Sequence, residues 1–524
     1  MTANRVKQII LVGMTIAVVL LIGGSLLGSL GEPQVNDRLQ LYQTDLLLQA
    51  TELRDPNSAD EVDLGVAQRA LLGDQPLNDA LEQYEKVRQS AAANLDKFEK
   101  QLARLAPNVE LETESAPPAV SSLADTAETK QVRNSIQQQQ LLINQLDLRI
   151  GILQAEQGNS DAALNTWANV NDANRTTSQN SLSKTATVLT GLWSTPPRIL
   201  PDAESLLQRN LEGWFRYRAL SRLYQLQQRS DSLSTLQATE QEIAQQTIVK
   251  LALVGVLPTL GGIAGFILLI GFTVRRLLRK PTDTPEDLSW QVPWTWETIL
   301  QVLILGFFLV GQVALPLLLG GLGFNFSAFG SRARAVYTLT YYLLMAGTGL
   351  LVLYLSIRPY FPLPEDWFRL KGKRNWLVWG VGGYLVALPL MLGVSLVNQQ
   401  IWQGQGGSNP LLQTVLEEGD GVALTLFFVT AAIAAPVFEE LLFRGFLLPS
   451  LTKYVSPWAA IGFSALLFAV AHLSLSEVLP LAMLGGVLGY IYTQSRSLLA
   501  PMLLHSLWNS VTMLGLLILG SGNG

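Results

Sequence analysis

The amino-acid sequence predicts an all-α protein: a polytopic transmembrane helical bundle carrying an extracytoplasmic α-helical domain. Two features of the sequence carry this. Long apolar runs fill the chain from about residue 299 onward, and residues 33–247 are rich in Gln, Asn, Ser, Asp and Glu with interspersed leucines. Lipid solvates the first kind of segment and water the second. A third observation is length, since 524 residues exceed what one hydrophobic core organises.

At the N-terminus, Ile9 to Leu30 form 22 uncharged, mostly apolar positions behind Arg5 and Lys7. That length crosses a bilayer core of about 30 Å at about 1.5 Å per residue. A cleaved signal peptide would have a shorter apolar core and an A-x-A-like site, and Gly24 to Leu30 does not show one clearly. Residues 1–30 are therefore expected to be an uncleaved anchor with its N-terminus in the cytoplasm.

Residues 31–247 form the expected extracytoplasmic helical domain. Leu81, Tyr84, Val87, Ala91, Leu95, Phe98, Leu102 and Leu105 recur at three- and four-residue spacing, the stripe of an amphipathic helix. An acidic stretch from Pro107 to Thr129, with Glu110, Glu112, Glu114, Pro117 and Pro118, is expected to break the pattern as a linker. Near 150–170, Ile150-Gly151, Gly158, Ala163 and Trp167 resemble one tetratricopeptide (TPR-like) helix pair, and Leu220, Tyr224 and Leu233 a more degenerate copy. An irregular helical bundle accounts for these spacings equally well, because one or two repeats do not build a continuous core.

Residues 248–280 hold the second span, Leu251 to Val274, and its basic flank Arg275 to Lys280 marks the cytoplasmic side. Further spans are expected over about 299–321, 336–357, 376–398, 422–446, 457–474, 477–494 and 498–519, making 299–520 a polytopic domain. Counted alternately, they place Arg358 to Arg374, Arg444 with Lys453, and Arg496 in the cytoplasm; Arg332 and Arg334 are the exception.

Net charge is −5, with no long basic run and no aromatic-basic interleaving, so no nucleic-acid partner is expected. The absence of cysteine excludes disulfides, thiolate metal sites and a cysteine nucleophile.

Only two histidines occur, His472 and His505, both in the apolar last quarter of the chain. Ionisable groups at membrane depth are costly, which makes them candidates for function. Upstream stands Glu439-Glu440-Leu-Leu-Phe-Arg444. On a helix Glu440 and Arg444 share a face and can pair, whereas Glu439 is turned about 100° away. Singly, each group has a plain structural role open to it: an interfacial salt bridge, a core histidine bonded to a carbonyl, or, for His505 and Asn509, polar contacts between helices. Together they make a coherent hydrolytic site. A carboxylate and an imidazole can share the deprotonation of water, and a second imidazole with an amide can donate to the oxyanion formed at a carbonyl. Such hydrolysis requires no cofactor.

Three short motifs stand in order on hydrophobic segments: Glu439-Glu440-Leu-Leu-Phe-Arg444, Phe468-Ala-Val-Ala-His472 and His505-Ser-Leu-Trp-Asn509. They resemble the CPBP family, the CAAX proteases and bacteriocin-processing (Abi-like) enzymes also called intramembrane glutamic endopeptidases. The resemblance covers residues 420–520 strongly, the spans from about 299 weakly, and residues 1–290 not at all. It implies that Glu439 and His472 activate water, that His505 and Asn509 form the oxyanion site, and that Glu440 and Arg444 orient the first helix. It also implies a peptide or membrane-protein substrate, prenylated in eukaryotic members of the family.

Two other classes stay open at this point. Two histidines and a carboxylate can hold zinc with water in the fourth position, although no His-Glu-x-x-His helix is present. Alternatively the membrane part anchors a non-catalytic scaffold whose external helical domain binds a protein partner. One expectation sits awkwardly with a single site. On straight helices His472 lies about 22 Å from the cytoplasmic face, and Glu439 and His505 only about 10 Å.

Overall fold

The computed structural model describes residues 3–30, 36–53, 72–105, 127–170, 177–278, 289–321, 330–371, 374–402 and 406–520. Among these every regular element is a helix. The chain divides into two compact units, Asn36–Ala252 and Met1–Val35 with Leu253–Ser521. Helices are numbered along the chain from α1 (Ala3–Ser29), which belongs to the second of these.

The polar unit contains α2 (Asn36–Ala50), α3 (Pro76–Leu105), α4 (Ala127–Glu156), α5 (Ser160–Asn169), α6 (Thr177–Trp193), α7 (Ala203–Asn210), α8 (Gly213–Leu226) and α9 (Ser230–Leu251). The stripe on α3 is buried at Tyr84, Val87 and Ala91, then surfaces: Leu95, Phe98 and Leu102 are half-buried and Leu105 is exposed. The expected acidic linker lies outside the described residues up to position 126, and from Ala127 the chain is already in α4.

Helices α4 and α5 pack as a hairpin. A Cβ on Gly151 would come 2.2 Å from Trp167 Nε1, so only glycine lets the indole lie across α4, where it donates to Leu148 O at 3.1 Å. Tyr84, Trp214 and Phe215 complete the aromatic core in edge-on contacts. Polar groups thread this core. Tyr84 OH donates to Asp45, Arg149 reaches both, and Arg88 pairs with Asp147. Burial raises the Asp147 carboxyl above the ordinary aspartate value, against the hydrogen bond from Arg88 that lowers it.

The membrane unit adds α10 (Leu257–Leu277), α11 (Trp296–Leu319), α12 (Ser331–Ile357), α13 (Trp376–Trp402), α14 (Pro410–Glu417), α15 (Gly421–Leu451), α16 (Pro457–Val470), α17 (Leu475–Ser495) and α18 (Leu499–Gly520). Eight helices among the described residues are long and apolar enough to cross a membrane. Their outer faces stay apolar, as at Ile9, Leu20, Ile267 and Leu392, which is what a lipid-facing surface requires.

The span expected over 457–474 is corrected by the structure. Helix α16 has 14 residues, about 21 Å, too short for the hydrocarbon core. It stops because the following segment turns: Leu473 takes a left-handed backbone, and Ser474 and Ser476 donate to Gly406 O and Gly407 O of another loop. His472 therefore sits in the turn that follows this shortened helix. The short helix α14 had no counterpart in the sequence reading. At the far end of α15, Trp294 Nε1 donates to Ser450 Oγ and Lys453 Nζ to Trp294 O, fastening the chain before α11 to this helix.

Candidate active site

The site is built around a discontinuity in α15. Pro436 has no N–H, so the carbonyls one turn earlier lose a donor within the helix, and the turns Thr430–Ala434 and Glu440–Leu447 widen to π-type geometry. Helix α18 supplies the missing donors: Asn509 Nδ2 to Ala431 O at 2.7 Å and Ser506 Oγ to Ala432 O at 2.6 Å. A sequence-local defect thereby fixes α18 beside Glu439 and Glu440.

Glu440 and Arg444 are both fully buried, and Arg444 Nη1 donates to Glu440 Oε1 at 2.7 Å. The other guanidinium arm donates to Gly485 O at 3.1 Å, and the cation lies 4.5 Å from the Phe468 ring centroid. Gly485 is required there, because a Cβ would stand 2.9 Å from Ala465 Cα and force α17 off α16. His505 Nδ1 also lies 2.9 Å from Glu440 Oε1. With the carboxylate ion-paired, Nδ1–H is the donor, and the imidazole presents Nε2 on its other side.

Glu439 is turned away from Arg444, as its position in the helix requires. Its Oε1 accepts the Tyr342 hydroxyl from α12 at 3.0 Å. Its Oε2 is buried without a hydrogen-bond partner and stands 3.9 Å from His505 Nε2. His505 is thus the imidazole in ion-pair range of Glu439.

His472 Nδ1 lies 2.9 Å from Phe468 O. A carbonyl only accepts, so Nδ1 carries the hydrogen and Nε2 keeps a lone pair in the neutral ring. The Phe468 ring lies between the two histidines, with centroids 5.1 Å from His472 and 5.7 Å from His505. Around Phe468 the three motifs come together.

Two further groups border the site without having been singled out in the sequence. Tyr342 is one. Glu477 is the other: it accepts from Asn409 N at 2.7 Å and lies close enough to His472 to interact electrostatically. Its place in the first turn of α17, five residues after His472, was the available signal. Nothing in local spacing linked Tyr342 to a carboxylate 97 residues away. Among the described residues no three His, Asp or Glu side chains are grouped to hold a metal ion.

The charges in the cluster balance when His505 is protonated: Arg444 and His505 against Glu439 and Glu440. A buried quartet of this kind avoids the cost of an uncompensated charge. Two of its carboxylate oxygens, Glu439 Oε2 and Glu440 Oε2, are buried without a hydrogen-bond partner, and the first of them faces His505 Nε2.

Residues 421–511 match the family model "Rce1-like: Type II CAAX prenyl endopeptidase Rce1-like". The chain is similar to the membrane-embedded CAAX protease MroQ of Staphylococcus aureus (strain USA300), at 23% identity over 227 residues, 42% of this chain and 88% of that protein. It is also similar to the candidate membrane peptidase YdiL of Bacillus subtilis (strain 168), at 21% identity over 138 residues, 26% of this chain and 55% of that protein. No solved structure gives a significant match.

Proposed function

Because residues 421–511 carry the sequence of the Rce1-like family of CAAX prenyl endopeptidases, part of the CPBP group, we propose that the chain hydrolyses peptide bonds of membrane-associated substrates by activated water. The observation that carries this reading is the pair Glu439 Oε2 and His505 Nε2, 3.9 Å apart at the meeting point of the three motifs. Two atoms at that separation can act on the two oxygens of one addition step, Glu439 on the attacking water and His505 on the carbonyl oxygen.

Glu439 Oε2, assisted by His472 Nε2, takes a proton from water as the water oxygen bonds the scissile carbonyl carbon. The carbonyl π electrons move to oxygen, and His505 Nε2–H with the second N–H of Asn509 Nδ2 donates to that oxyanion. When the intermediate collapses, the C–N bond breaks and the proton held by Glu439 passes to the leaving nitrogen. Glu440 accepts from His505 Nδ1 and keeps the ring oriented. The basic flanks Arg5 to Lys7 and Arg275 to Lys280 favour an N-terminus in the cytoplasm and residues 31–247 outside it, available to a protein partner. The substrate is a peptide or membrane protein, with or without a lipid.

Terminal proteomics of membranes with the parental chain or Glu439→Gln identifies cleaved peptides, and single-turnover cleavage by purified variants in liposomes then measures the chemistry. Glu439→Gln keeps volume but removes the base, so the rate falls by roughly two to four orders of magnitude while insertion is retained. Zinc chelators leave the parental rate unchanged. Parental turnover by Glu439→Gln sinks the reading, and loss of activity in chelator moves it to a zinc hydrolase.

A further inference from the structure

We propose that Tyr342 is a positioning residue for Glu439, fixing Oε2 as the oxygen that receives the proton; this rests on the reading of Glu439 as the base. The hydroxyl of Tyr342 donates to Oε1 at 3.0 Å, while Oε2 is buried without a partner and faces His505. A carboxylate has two equivalent oxygens and a terminal torsion that is soft. One strong donor on Oε1 removes both freedoms.

The donor is itself held. The Phe438 ring, immediately before Glu439, meets the Tyr342 ring edge-on at 6.2 Å, and Phe307 packs against the same Phe438 ring. Buried phenol hydroxyls usually find a partner, and the neighbouring Tyr341 shows the ordinary solution, donating to a backbone carbonyl, Gly311 O, at 2.8 Å. Tyr342 instead spends its hydrogen on a carboxylate in the site. It comes from α12, outside residues 421–511.

The charged groups facing Glu439 are Glu440 and Arg444 on its own helix and His505 from α18, with His472 beyond Phe468. All of these remain in Tyr342→Phe, so the variant isolates one hydrogen bond to Glu439 Oε1.

The test is an infrared spectrum of the purified full-length chain in liposomes, with the Glu439 carboxyl bands assigned by their absence in Glu439→Gln. No substrate is needed. Tyr342→Phe is expected to move those bands, because Oε1 loses its donor, whereas Tyr341→Phe leaves them in place. In cleavage assays, Tyr342→Phe lowers kcat by about tenfold with KM unchanged. Unmoved bands in Tyr342→Phe, or the same shift in Tyr341→Phe, overturn the proposal. Parental cleavage by Glu439→Gln, with the band shift present, would instead overturn the endopeptidase reading alone.

Discussion

Arg444 and His505 converge on one atom: Glu440 Oε1 lies 2.7 Å from Arg444 Nη1 and 2.9 Å from His505 Nδ1. The residue that pairs with the arginine for structural reasons is therefore also the one that sets the tautomer and orientation of a site histidine. Structural and chemical roles of Glu440 are coupled through a single oxygen.

Arg444→Ala leaves Glu440 fully buried with no cation of its own helix beside it. The expected cost is about 3 kcal/mol or more, with loss of cleavage. Thermal unfolding and turnover in detergent check it. Unchanged stability would show that the pair does not hold the helix.

Asn509→Ala removes the amide proposed to donate to the oxyanion, together with its bond to Ala431 O. Turnover is expected to fall by about a hundredfold and remain measurable, because His505 still donates. His505→Ala should fall much further, since it strips both the donor and the partner of Glu440. Single-turnover rates that rank the two variants the other way would contradict the assignment.

In the polar unit, Asp147 ionises at a higher pH folded than unfolded, because burial outweighs the Arg88 hydrogen bond. The native state then holds a proton that the unfolded chain has released. Stability from this group is highest below the ordinary aspartate value and falls as pH rises through the folded value. Asp147→Asn should reduce that slope without abolishing it, since Asp45 is shifted in the same direction, chiefly by burial. Amide exchange of α4 across this range, corrected for intrinsic rates, measures the effect. Identical slopes in both proteins would exclude it.

Topology is testable directly. With the basic clusters at Arg5 to Lys7 and Arg275 to Lys280 in the cytoplasm, protease added outside should release residues 31–247 and leave Pro281 to Pro293 intact. Cleavage of that loop without release of the polar region would reverse the orientation.

The helical faces and most spans were legible in the chain because they depend on residues a few positions apart. Ile9 to Leu30 is apolar throughout, and Glu440 and Arg444 meet because four residues bring them onto one face. The three motifs were legible for the same reason, each lying within one or two helical turns. Hydropathy alone carried α16 too far, since Ala471 to Leu475 reads as apolar and the turn at Leu473 is imposed by bonds to Gly406 and Gly407. Only the tertiary structure decided that His505 meets Glu440 and Glu439, that Phe468 lies between the histidines, and that Tyr342 bonds Glu439. Those contacts join different helices, and which helices touch depends on close approaches such as Gly485 on Ala465 and on the carbonyls Pro436 releases to α18. Spacing along one helix encodes none of that.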